Sequence, residues 1–146
     1  MYKKILVPLD GSKRAEAILP HIESLAEAYG ASVILMAVAE PESVLDRGLA
    51  STQFDQDGYE ARFDQTKKYL SDIQDYLGKK GIHVMSKVYP HSPVVEAIIN
   101  SAETEGVDLV AMASHGRSGI GRVFYGSTAA GVLHRLERPI LLIRSL

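Results

Sequence analysis

Glycines and hydroxyl side chains crowd one stretch of this chain, Ala113-Ser114-His115-Gly116-Arg117-Ser118-Gly119-Ile120-Gly121, and recur shortly afterwards as Gly126-Ser127-Thr128. Residues of these types let an anion approach backbone N–H groups and hydroxyls without bulky side chains in the way. The stretch begins where the apolar run from Val107 to Met112 stops, and its far end opens a helical pattern from Ser127 to Leu136. A strand that empties into a glycine loop and then a helix N-terminus gathers unpaired donors at the positive end of a helix dipole. The chemistry indicated is phosphate binding, and with it a nucleotide.

Other constellations fall short of their motifs. Gly116 to Val123 has the glycine spacing of a Walker A loop but lacks its Lys and its Mg²⁺-binding hydroxyl. Met112-Ala113-Ser114-His115-Gly116 lacks the first glycine of a nucleophile elbow. Gly119-Ile120-Gly121 is followed by Phe124 where a dinucleotide fingerprint needs glycine, and it follows the fourth strand pattern instead of the first. The histidines outside this stretch, His21, His83, His91 and His134, have no metal-ligand spacing. Arg117 and Arg122 are cations beside the loop, and His115 offers a ring nitrogen to the loop or to a phosphate.

The elements that must hold such a loop alternate along the chain. β-branched apolar runs occur at Lys4 to Leu9, Ser32 to Val38, Ile82 to Tyr89, Val107 to Ala113 and Ile140 to Arg144. Most of them are nearly continuous in apolar character, as strands covered on both faces should be. Helical stripes lie between: Ala15, Ile18, Ile22, Leu25 and Tyr29; then Phe63, Leu70, Ile73 and Leu77; then Val95, Ile98, Ile99 and Ala102. Gly30, Gly78 and Gly106 stand where left-handed helix ends are expected. Ser92-Pro93 reads as an N-cap with proline at the first helical position, and Pro139 stops the last helix. The pattern predicts an α/β fold: one doubly wound, Rossmann-like sheet of five parallel strands in the order 3-2-1-4-5, with helices on both faces. In that order the first strand's end, Pro8-Leu9-Asp10-Gly11-Ser12, faces the fourth strand's end across the crevice where ligands bind. Asp10-Gly11-Ser12 also reads as a strand end capping the first helix, and the two roles are compatible. The irregular segment from Pro41 to Gly58 is expected to flank the ligand.

The 146 residues carry 16 Lys and Arg against 18 Asp and Glu, with no block of like charge, which argues against nucleic-acid binding. Absence of cysteine excludes disulfides, thiolate zinc sites and cysteine nucleophiles. No run reaches the ~20 apolar residues of a membrane span. These features predict a single domain over 1–146, cytoplasmic and without membrane insertion.

The chain resembles the universal stress protein family over essentially its whole length, and in particular its ATP-binding branch, whose signature is G-x-x-G, nine residues, then G and Ser or Thr. Gly116, the nine residues after it, Gly126 and Ser127 match, while Ala113 replaces the first glycine. The resemblance implies that Pro8, Leu9 and Asp10 lie beside the adenosine and that the backbone of Val38 meets the adenine edge. It further implies that Met112 and the run Ala113, Ser114, His115, Gly116, Arg117, Ser118 and Gly119 wrap ribose and phosphates, and that Ser127, Thr128 and Ala129 present hydroxyls and N–H groups. The implied ligand is ATP, or AMP or ADP, with Mg²⁺ that Asp10 reaches through the phosphates. A binding module with an unidentified regulatory protein partner is favoured, because the loop offers no general base or nucleophile. A slow Mg²⁺-dependent ATPase or adenylate-transferring enzyme, and a nucleotide-free dimeric interaction protein, are the alternatives. The apolar run from Ile140 to Ile143 at a sheet edge predicts a homodimer through the last strand.

Overall fold

The computed structural model describes residues 1–40, 56–114 and 127–145. Its strands are β1 (Lys4–Pro8), β2 (Ser32–Val38), β3 (Val84–Tyr89), β4 (Leu109–Ala113) and β5 (Ile140–Ile143). All pair in parallel, and the order is β3-β2-β1-β4-β5, as the alternating pattern predicts. The helices are α1 (Lys13–Glu16), α2 (Leu19–Tyr29), α3 (Gln56–Gly78), α4 (Val94–Glu105) and α5 (Ser127–Arg135). None of these helices is long and apolar enough to cross a membrane.

Alternate strand residues feed two cores. Ile5, Val7, Val33 and Leu35 pack on one face with Ile18 and Ile22 of the α1–α2 segment and Leu70 and Leu77 of α3. Leu6, Ile34, Val110 and Met112 pack on the other face with Ile98 of α4 and Val132 of α5. Burial on both faces explains why the strands read as continuous apolar runs.

The structure revises several local expectations. The first helical stripe is two helices: α1 ends at Glu16, and α2 restarts with a proline in its first turn, where a missing N–H costs nothing. Tyr29 lies on the surface, its ring edge-on to Tyr2 at 5.3 Å. Gly30 and Gly106 are left-handed as expected, but Gly78 ends α3 without that conformation, and the positive φ falls at Gly81. Ser92 does not cap α4; its hydroxyl donates to the Pro90 carbonyl and Pro93 takes the N-cap place. Helix α3 begins at Gln56 and absorbs Gly58, which the sequence reading assigned to the irregular segment; residues 41–55 of that segment lie outside the described residues.

Candidate functional site

The sheet opens at its carboxyl edge between β1 and β4. β1 pairs with β2 along its whole length, from Lys4↔Ser32 to Pro8↔Met36, yet with β4 only at Ile5↔Leu109 and Leu6↔Val110. Beyond those positions Val7 and Pro8 on one side and Ala111 to Ala113 on the other run without registered partners across the gap. This is the point where strand order reverses, and ligands of open α/β sheets bind there.

Pro8, Leu9 and Asp10 form one lip. The Leu9 side chain is buried in the core, so only its backbone is available to a ligand, and its N–H already donates to Met36 O at 2.8 Å. Met112, Ala113 and Ser114 form the other lip. Met112 is likewise a core side chain. Val110 and Ser114 direct their N–H groups to β5, at Pro139 O (3.0 Å) and Ile143 O (2.7 Å). Strand alternation therefore turns the N–H and C=O of Ala113 towards the open side. No non-glycine residue among those described has positive φ, so alanine fits at 113 without backbone strain. The Ser114 hydroxyl is buried and has no hydrogen-bond partner among the described residues. An orphan hydroxyl is costly when buried, and a polar ligand atom is the kind of partner that relieves the cost.

Asp10 shapes the turn after β1. Its Oδ1 accepts from the Ser12 N–H at 2.9 Å and from Ser12 Oγ at 2.6 Å, and Ser12 Oγ in turn accepts from the Ala15 N–H at 3.1 Å as the N-cap of α1. The capping role is thus present in the structure. Tyr69 of α3 holds the short helix that follows this turn by donating to Glu16 Oε2 at 3.0 Å. Burial, the hydrogen bond to Glu16 and the nearby negative charges of Glu16 and Asp10 push the Tyr69 phenol well above its ordinary value, while the Gly11 backbone works the other way.

Val38 stands where the β1–β2 ladder has run out. Val33 and Ala39 donate to β3, at His83 O and Tyr89 O, whereas Ser32 and Met36 bond towards β1. By that alternation the Val38 N–H and C=O point towards β1, past the last registered pair. They offer a donor and an acceptor side by side in the sheet plane. A cavity of about 190 Å³ adjoins them, with Asp10 and Gly11 at one side, Glu40 beyond β2, and Arg62 and Tyr69 of α3 opposite. Sequence reasoning missed the α3 contribution. Its only signal was polar and aromatic residues at 62, 66 and 69, helical spacing beside the apolar stripe of Phe63, Leu70 and Leu77. A larger, more open groove of about 490 Å³ lies at the other end of the sheet, among Gln74, Gly78, His83 and Val84. It lies at the amino edge of the sheet, where β3 begins, away from the carboxyl-edge crevice in which ligands of open α/β sheets bind, so the smaller cavity is the better nucleotide candidate.

At the start of α5, Ser127 is exposed, Thr128 is half-buried and the Ala129 side chain is buried, so Ala129 can offer only its N–H. No acidic residue occupies the first turn to offset the dipole. His115, Gly116, Arg117, Ser118, Gly119 and Gly126 lie outside the described residues. Among the described residues no three His, Cys, Asp or Glu side chains come together as a metal site.

The model of the universal stress protein family matches residues 1–144. The chain belongs to the universal stress protein family. This universal stress protein is 28% identical over 156 residues to Universal stress protein MJ0577 of Methanocaldococcus jannaschii, covering 99% of this chain and 96% of that one. The solved structure of MJ0577 superposes with a TM-score of 0.84 at 29% identity, covering 99% and 96% of the two chains. A universal stress protein solved in complex with cAMP has a TM-score of 0.65 at 20% identity, over 99% of this chain and 98% of that one, a likeness of fold. The five-stranded order 3-2-1-4-5 is thus that of the family's Rossmann-like fold.

Proposed function

We propose that this stress-response-family protein is an adenine-nucleotide-dependent binding module. It takes ATP, or AMP or ADP, with the base at the end of β2, the ribose across the β1–β4 opening and the phosphates towards the start of α5. The observation that carries the reading is the donor–acceptor pair of Val38 facing a cavity instead of a neighbouring strand. Adenine presents an acceptor, N1, beside a donor, the 6-amino group, and so complements that pair. The buried Ser114 hydroxyl supports it as a second unfilled valence at the same sheet edge. The cAMP bound by one family member is an adenine nucleotide too.

Mg²⁺ enters this reading only as a companion of the phosphates, with Asp10 as its nearest carboxylate candidate. Occupancy changes the surface around the carboxyl edge of the sheet and so the fit of a regulatory protein partner. The copies associate through β5. Denaturing freshly purified protein and chromatographing the released small molecules tests the ligand: an adenine nucleotide in near-stoichiometric amount is expected. Calorimetry on nucleotide-stripped protein should then give saturable ATP binding, and its absence refutes the proposal. Incubation with ATP and Mg²⁺ should leave nearly all ATP intact over minutes.

A further inference from the structure

Arg62 occupies a position that the nucleotide reading has not used. Its Nε donates to the Glu40 carbonyl at 3.2 Å, which pins the guanidinium to the segment just after Val38, and neither Nη group has a partner among the described residues. Both residues line the 190 Å³ cavity. Pockets for drug-sized ligands run to roughly 300–1,000 Å³, so this one suits a single flat ring system.

The orientation of such a ring follows from the strand. A ring bonded edge-on to the Val38 N–H and C=O lies near the sheet plane, because interstrand hydrogen bonds do. Its faces then look towards the two helical layers. α3 belongs to the layer that covers Leu35 and Ala37, so α3 meets one face of the ring. The α3 side chains lining the cavity have different capacities. Thr66 Oγ1 donates to the Arg62 carbonyl within the helix, at 2.9 Å. The Tyr69 hydroxyl is engaged with Glu16. Gln65 is exposed on the flank. Arg62 alone among them combines a planar, delocalised cation with a fixed anchor.

We propose that Arg62 stacks its guanidinium on the face of the bound base and sets a preference for purines over pyrimidines; this rests on the nucleotide reading above. A cation held over an aromatic face gains attraction from the ring's electrons, and a larger ring gains more contact. The charges agree with a neutral base at this end: Glu40, just beyond Val38, offsets Arg62 in the cavity wall, so the guanidinium leaves no net positive charge there to draw a phosphate.

The test is calorimetry of ATP, CTP and inorganic tripolyphosphate on nucleotide-stripped protein, comparing wild type with Arg62→Ala and Arg62→Lys. Stacking predicts that Arg62→Ala weakens ATP about 2- to 30-fold, weakens CTP less, and leaves tripolyphosphate unchanged. Arg62→Lys keeps the charge without the plane, and the ATP-to-CTP ratio should fall with it as well. Equal losses for ATP and CTP, or a loss for tripolyphosphate, would overturn the inference by showing that Arg62 organises the fold or contacts phosphate. An unchanged ratio in Arg62→Lys would overturn it too, and that variant serves if Arg62→Ala does not fold. Wild-type protein that binds no nucleotide would sink the functional reading itself, whereas wild-type binding with an unaffected Arg62→Ala sinks only the role of Arg62.

Discussion

Gly131 of α5 crosses Val95 of α4 with no room for a side chain: a β-carbon at 131 would lie 2.7 Å from Val95 Cγ2. The valine methyls have one stiff torsion with which to yield. Gly131→Ala gains about 1 kcal/mol in helix propensity but overpacks this crossing, which typically costs 1–3 kcal/mol. The expected result is a net loss of about 1 kcal/mol in denaturant unfolding, recovered when Val95→Ala is added. A variant as stable as wild type, or a double-mutant cycle without coupling, would show that the crossing yields freely.

Asp10→Asn separates the capping role from the ligand role. Asparagine retains an oxygen that accepts from the Ser12 N–H and Oγ, so the turn and the melting temperature should hold. ATP affinity should fall mainly when Mg²⁺ is present, because a carboxylate near polyphosphate is tolerated chiefly through a bridging cation. Tighter binding with and without metal would instead mark Asp10 as a repulsive neighbour.

Tyr69 gives the fold an alkaline signature. Its phenol is raised in the folded protein by burial first and the Glu16 hydrogen bond second. The folded state therefore keeps a proton that the unfolded chain loses above about pH 10. The unfolded state binds fewer protons in that range, so stability is whole below it and declines as pH rises further. Tyr69→Phe should cost about 0.5–1.5 kcal/mol near neutrality and flatten the alkaline decline. Parallel curves for the two proteins from pH 9 to 11.5 would contradict this.

The last strand carries the dimer prediction in its backbone. Val110 and Ser114 donate to Pro139 O and Ile143 O, so the N–H and C=O of Ile140 and Leu142 point away from β4 along the open edge. The side chains of Ile140 and Leu142 pack against the α4–α5 core instead of standing free. Leu142→Lys would thus disturb folding, and Leu142→Pro, which removes an outward N–H, is the sharper probe. Sedimentation should give a dimer for wild type and for the packing control Leu142→Ala, and a monomer for Leu142→Pro. Monomer mass for wild type at micromolar concentration refutes the dimer.

Much of this architecture was legible because both sheet faces are buried: Ile5, Leu6 and Val7, or Val33, Ile34 and Leu35, cannot alternate with polar residues, and the runs announce themselves. Gly30 and Gly106 were legible because a left-handed helix end favours glycine. Val38 was reachable only through family resemblance, because its free backbone pair depends on where β1 stops, a property of pairing that no single residue encodes. Arg62 and Tyr69 were missed because apolar periodicity reports the side of α3 that enters the core and is silent about its neighbour. Ser92 misled because a serine before Pro93 has a competing acceptor at Pro90 O. The roles of His115 to Gly119 and of Gly126 remain expectations of the sequence.

The short β1–β4 register divides the sheet into a three-stranded block and a two-stranded block that share few rungs of the ladder. The base end of the proposed site belongs to the first block and the phosphate end to the second. A nucleotide lying across them would bridge the seam at its carboxyl end, where the ladder has run out and only the shared cores still join the two blocks. A partner that touches both blocks at that end would meet a filled seam in the loaded protein and an open one in the empty protein.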